Sequence, residues 1–116
     1  MPYIAKYHSY INTCLKKYPH LKTPFEKKKD YIIQNPLQLG EPLKGTLNGL
    51  RSFPLQKNFI IIYLICDECR KLNQEFLNKC TQCGQIPQNS VIFLLFGPHD
   101  YAYKSAPGQR VTLQEE

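Results

Sequence analysis

Four cysteines, Cys66, Cys69, Cys80 and Cys83, follow the spacing C-x2-C-x10-C-x2-C, with Gly84 after the second pair. Two C-x-x-C knuckles can present four thiolates to one tetrahedral ion, the arrangement that zinc adopts in structural sites. With all four ligands supplied by protein, no position is left for water, so the metal implied is structural zinc rather than a catalyst. Iron in a rubredoxin-like site would satisfy the same thiolates. Two disulfides are disfavoured in a reducing compartment, and a thioredoxin-like redox pair lacks the βαβ context it needs.

The second group with chemical potential follows the apolar run Val91 to Phe96: Gly97-Pro98-His99-Asp100-Tyr101-Ala102-Tyr103. Polar residues at the tip of a buried strand lie where rigid support meets solvent, a common setting for a site. Histidine suits proton transfer because its ordinary pKa is near neutrality. The competing reading is a turn histidine bonded to backbone, with Tyr103 as a core or interface aromatic. His8 and His20, in the helical region, read as structural.

These groups need elements to hold them. Phe59 to Ile65 and Val91 to Phe96 are β-branched and aromatic without alternation, as expected of strands buried on both faces. Leu50 to Leu55 reads as a neighbouring strand in which Pro54 removes a ladder donor, so an edge or a bulge is expected there. The turn at Gln56-Lys57 should leave Arg51 and Lys57 accessible to solvent, and Gly45 and Gly49 suit a chain reversal before that strand. Upstream, Tyr7, Tyr10, Ile11, Cys14, Leu15 and Tyr18 form one stripe of an amphipathic helix ended by Pro19. Cys14 on that stripe is packing. Thr23-Pro24-Phe25-Glu26 reads as a capping box opening a second helix to about Gln34, stopped by Pro36, with Phe25, Ile32 and Ile33 inward and Lys27-Lys28-Lys29 on the solvated face. Residues 3 to 6 suit a short edge strand.

The 116 residues are read as one domain, 1–116, with the cysteines in an insertion at 66–89 between the two central strands. A connection of that size between antiparallel neighbours calls for something to fold it, and the metal supplies it. The net charge of +6 is uneven: residues 1–57 hold ten Lys/Arg against three Asp/Glu, and residues 58–116 hold five against six. Such a basic half suits nucleic acid or an acidic protein as partner, or else a solvated lysine-rich helix face. No stretch has the length of a membrane span, and the N-terminus lacks the basic-then-apolar pattern of a secretory signal. The cytoplasm is the expected location, without membrane contact.

In order, L-K-G-x-L-x-G-L-R-S, then N-F-I-I-I-Y, then G-P-H-D-Y-A-Y resembles the RelE/ParE superfamily of toxins from toxin–antitoxin pairs, and most of all the YafQ-type mRNA interferases. The likeness spans residues 8–65 and 90–103 and does not include the cysteine insertion. It implies an α+β fold, two N-terminal helices on a small twisted antiparallel sheet, here with a zinc-ribbon-like insertion. It also implies an endoribonuclease that cleaves mRNA on the ribosome without a catalytic metal, and an acidic antitoxin as partner. Within it, His99 matches the catalytic histidine and Tyr103 the closing aromatic. Asn58 and Phe59 stand where that branch has an acidic residue and a tryptophan, Glu41 and Pro54 where it has further histidines, and Ile60 where RelE-type nucleases often have arginine. By elimination, Glu41 replaces a histidine as base, and Arg51 or Lys57, with Lys44 nearby, holds the phosphate. Two other readings share the scaffold: a ParE-like toxin that inhibits a topoisomerase by binding alone, and a nonenzymatic RNA- or ribosome-binding protein.

Overall fold

The computed structural model describes residues 3–8, 10–43, 50–65 and 89–102. Its elements run β1 (Ile4–Tyr7), α1 (Tyr10–Lys17), a 3-10 turn (Pro19–Leu21), α2 (Lys22–Gln34), α3 (Pro36–Leu39), β2 (Glu41–Pro42), β3 (Arg51–Gln56), β4 (Phe59–Ile65) and β5 (Ser90–Pro98). The strands form one sheet in the order β1-β5-β4-β3-β2. The fold is α+β, with helices packed on the sheet, but the sheet is mixed rather than antiparallel throughout. β1 runs parallel to β5, pairing Ile4 with Ser90 and Tyr7 with Phe93, while the other neighbours are antiparallel. A parallel pair needs a long crossover, and here the helices and the rest of the sheet all lie between the two strands.

The two apolar runs take the central positions. Ile60 to Ile65 and Val91 to Phe96 are all buried, and β4 and β5 pair along their whole length with one register shift between Ile62 and Tyr63. The helices close one face through aromatics: the Phe25 ring lies 5.8 Å from Phe93 and 4.9 Å from Phe96. Burying a side chain of that size is worth about 1.5–3 kcal/mol. Pro54 sits beside the register shift in β3, so the bulge is the form its missing donor takes.

Three local expectations are corrected. The first helix starts at Tyr10 rather than Tyr7, because His8 ends the strand and caps the helix. Its Nδ1 accepts from the Tyr10 amide at 3.0 Å, and its carbonyl oxygen accepts from the Ile11 amide at 3.0 Å. Tyr7 still meets Phe93 at 5.9 Å, so its contact was legible although its element was not. The Thr23 capping box does not form: α2 begins at Lys22 with no side-chain cap, since the 3-10 turn feeds into it and the Lys22 amide donates to the Pro19 oxygen. The lysine triplet is not a uniform solvated face either. Lys27 is exposed, but Lys28 lies over the Phe53 ring at 5.6 Å and Lys29 is bonded to Glu26 at 2.9 Å.

Glu41 and Pro42 form a two-residue edge strand against Ser52 and Arg51. Cys66, Cys69, Cys80 and Cys83, Lys44, Gly45, Gly49 and Tyr103 lie outside the described residues. Among the described residues no helix is long and apolar enough to cross a membrane.

Candidate functional site

The end of the sheet where β3 finishes, β4 begins and β5 finishes is built on the Lys57-Asn58 turn. Gln56 pairs with Phe59 across it, and Asn58 has φ of 67°, a left-handed conformation that asparagine adopts more readily than most residues. The Asn58 carbonyl oxygen then accepts the His99 amide at 2.9 Å, which ties the end of β5 to the turn. Four of the expected site residues, Lys57, Asn58, Phe59 and His99, are thereby brought together.

Residues 99–102 are helical, and Ala102 is buried. This turn is held against α1 by a hydroxyl–hydroxyl bond between Tyr101 and Tyr10. Burial and that bond raise the Tyr10 pKa, so the phenol stays protonated. A Cβ on Gly97 would meet the Tyr101 ring at 3.3 Å and the Tyr18 ring at 3.8 Å, so the absence of a side chain lets both rings close over the strand. With its backbone fixed, the His99 side chain is 57% exposed, and its Nδ1 lies 3.4 Å from an Asp100 oxygen that is itself in solvent. An exposed pair of that length orients the imidazole only weakly.

Phe59 is half-buried beside this turn. Tyr18 approaches it edge-on at 5.4 Å and 78°, and His20 at 6.3 Å and 87°. Lys17 places its ammonium 4.9 Å from the Tyr101 ring and 5.7 Å from the Tyr18 ring. Lys57 is exposed, as expected. The result is an exposed imidazole on rigid backbone, next to the turn that carries the exposed Lys57 and on the same helical turn as the Tyr101 ring that Lys17 faces, a set able in kind to take up a phosphate and move a proton.

Glu41 and Arg51 are elsewhere. Arg51 pairs with Tyr63, which pairs with Phe93; His99 is six residues further along, about 20 Å at the strand rise of 3.3 Å per residue. Glu41 is opposite Ser52 at the same far end. The sequence expectation that Arg51 stays accessible is also corrected. It is 8% exposed, and its Nη1 donates to the Gly40 carbonyl oxygen at 2.7 Å. The guanidinium is thus largely withdrawn from solvent and bonded to the backbone before β2.

The sequence reads His20 as structural, yet it is exposed beside Phe59. The available signal was Pro19, which ends the helix and turns the next residue outward, but nothing in the spacing placed it near a residue 39 positions away. Cys14 is as expected: buried, with its thiol pushed up to about 11 by desolvation and therefore inert.

No protein-family model matches the chain, and no curated protein matches it significantly. Solved structures do. A chain of the RelBE2 toxin–antitoxin complex from Mycobacterium tuberculosis superposes with a TM-score of 0.62 at 19% identity, over 84% of this chain and 92% of that one. YafQ from E. coli superposes with a TM-score of 0.58 at 14% identity, and a point mutant of it with 0.57 at 15%, each over 85% of this chain and 96% of the other. The shared span covers nearly the whole of each neighbour, and the chain therefore has the fold of the RelE-like toxins.

Proposed function

We propose that the chain is the toxin of a toxin–antitoxin pair and acts as an endoribonuclease on mRNA at the ribosome. The observation that carries this is His99: an exposed imidazole held by its own amide on the Lys57-Asn58 turn, among cations and rings, on the fold of the RelE-like toxins. In the reaction, the 2′-oxygen of one nucleotide bonds to the adjacent phosphorus and the bond to the 5′-oxygen breaks. The 2′-OH proton passes to a base, and a proton from an acid goes to the departing oxygen. His99 takes one of these transfers, and Lys57 offsets the charge that develops on the phosphate. Glu41 is level with Ser52, Ile62 and Leu95, four residues or about 13 Å short of His99 along the strand and three strands across from it, and is not its partner in this scheme.

The test is induced expression followed by mapping of cellular RNA ends. New ends that disappear in His99→Ala support the nuclease, whereas growth arrest with intact RNA contradicts it. That second outcome would favour the ParE-like reading, inhibition of a topoisomerase by binding alone. One observation already leans that way: Glu41 and Arg51, expected beside His99, are not there.

Two further parts complete the proposal. An acidic antitoxin segment covers the basic half of the chain, folding as it binds, so its affinity should fall steeply with salt. Cys66, Cys69, Cys80 and Cys83 hold one structural zinc, the ligand set and spacing being its support. Metal analysis of freshly purified, reduced protein should find about one zinc per chain; no stoichiometric zinc or iron would refute it.

A further inference from the structure

The 3-10 turn after α1 is not accounted for by proton transfer at His99. Its His20 is exposed, and among the described residues its side chain touches rings only: Tyr18 at 6.4 Å and 79°, and Phe59 at 6.3 Å and 87°. Tyr18 and Phe59 meet at 78°, so three ring planes stand nearly perpendicular to one another, like the faces of a box corner. Edge-on packing of this kind is ordinary in a core. Here, however, His20 is exposed and Tyr18 and Phe59 are only half-buried, so the corner borders solvent.

An open corner of rings suits a flat partner that stacks on one face and meets the edges of the others. A nucleobase is such a partner, and proteins read single-stranded RNA by stacking unpaired bases on aromatic and histidine rings. The charges agree with that occupant. Lys17 lies at 5.7 Å from the Tyr18 ring, and Lys57 is exposed two residues before Phe59, so both can meet the phosphates flanking the base. Among the described residues of this end, the one carboxylate is Asp100, beyond His99.

We propose that Tyr18, His20 and Phe59 form a stacking site for one base of single-stranded RNA, with His20 as its outer wall. The inference rests on the RNA reading above and adds a residue and a base-binding role to it. The site binds the nucleotide next to the one whose phosphate is attacked, so that stacking fixes where the chain is presented to His99.

The test is the affinity of the full chain for a labelled 2′-O-methyl single-stranded oligonucleotide, which has no free 2′-OH to attack, measured by anisotropy over a range of salt. His20→Ala should weaken binding roughly tenfold, within the range seen for stacking residues, and leave the salt slope unchanged. His20→Phe, which keeps a ring, should recover most of the loss. Lys57→Ala should reduce the slope by about 0.7, as for one phosphate contact on a single strand. His20 is exposed, so both variants should unfold at the wild-type temperature. If the wild type binds the oligonucleotide and His20→Ala binds it equally, the stacking site is refuted and the nuclease reading stands. If the wild type binds no oligonucleotide and this corner instead takes an acidic peptide, both fall.

Discussion

The two ends of the sheet use similar residues in opposite ways. At the end holding Gly40, Glu41 and Arg51, polar groups are spent on the fold: Arg51 donates to the Gly40 oxygen and the Tyr63 hydroxyl donates to the Pro36 oxygen, both at 2.7 Å and both buried. At the end holding Lys57, Phe59 and His99, a backbone bond from His99 to Asn58 and the Tyr10–Tyr101 hydroxyl bond do the fastening, and the Lys57 and His99 side chains are left exposed. An arginine in a sequence looks the same in either role. What separates the roles is whether the side chain is turned inward to a backbone oxygen, as Arg51 is to Gly40 where α3 passes into β2.

The contrast is most easily broken at Gly40. A Cβ there would overlap the Tyr63 hydroxyl, and Tyr63 is fully buried. Gly40→Ala should destabilise the protein by about 3 kcal/mol, the upper range for overpacking. Combined with Tyr63→Phe, which removes the nearest overlapping atom and leaves the ring carbon beneath it at 2.6 Å, the loss should be smaller than the sum of the single changes. Urea unfolding of the three proteins measures this, and simple additivity would show that the two residues do not meet.

Next in size is the pair Arg51→Ala and Lys57→Ala. Removing Arg51 leaves a buried carbonyl without that donor and should cost about 2 kcal/mol, with cleavage per folded molecule unchanged. Lys57→Ala should change stability by less than about 0.5 kcal/mol and weaken RNA binding. If the effects were exchanged, the assignment of the two ends would be reversed.

The smallest effect concerns His8, at neither end. Burial lowers its pKa below the ordinary histidine value, and its Nε2 has no partner among the described residues. The folded protein therefore binds fewer protons than the unfolded chain just below that ordinary value of about 6.5. Stability is full above it and falls as pH drops through the window down to the lowered folded pKa. His8→Asn, whose side-chain oxygen can still accept from the Tyr10 amide, should remove that slope below about pH 6.5. An unchanged slope would assign the acid loss to other groups.

Legibility in the sequence tracks the range of each signal. β4 is read at its bounds, since seven consecutive apolar residues admit little else; the adjacency of β3 and β4 comes from their short turn, and that of β4 and β5 from two fully apolar runs sharing one core despite the long segment between them. The parallel pairing of β1 was not legible, because four residues with three exposed carry no periodicity to orient them. Of the expected site residues, Lys57, Phe59 and His99 lie together at one end because each borders a strongly patterned strand. Glu41 and Arg51 were misplaced because register decides which end a residue joins, and register depends on the turn and bulge rather than on residue type. The position of His20 beside Phe59 was not legible for the related reason that the two are near only in space.

The central claim is that RNA binds at the Phe59 and His99 end. The direct measurement is amide chemical-shift mapping of the labelled full chain during titration with the 2′-O-methyl oligonucleotide. The account expects the largest shifts at residues 17, 18 and 20, 57–59 and 99–101, with residues 40, 41, 51 and 52 nearly unmoved. Shifts concentrated around Glu41 and Arg51, with His99 and Phe59 unaffected, would contradict it.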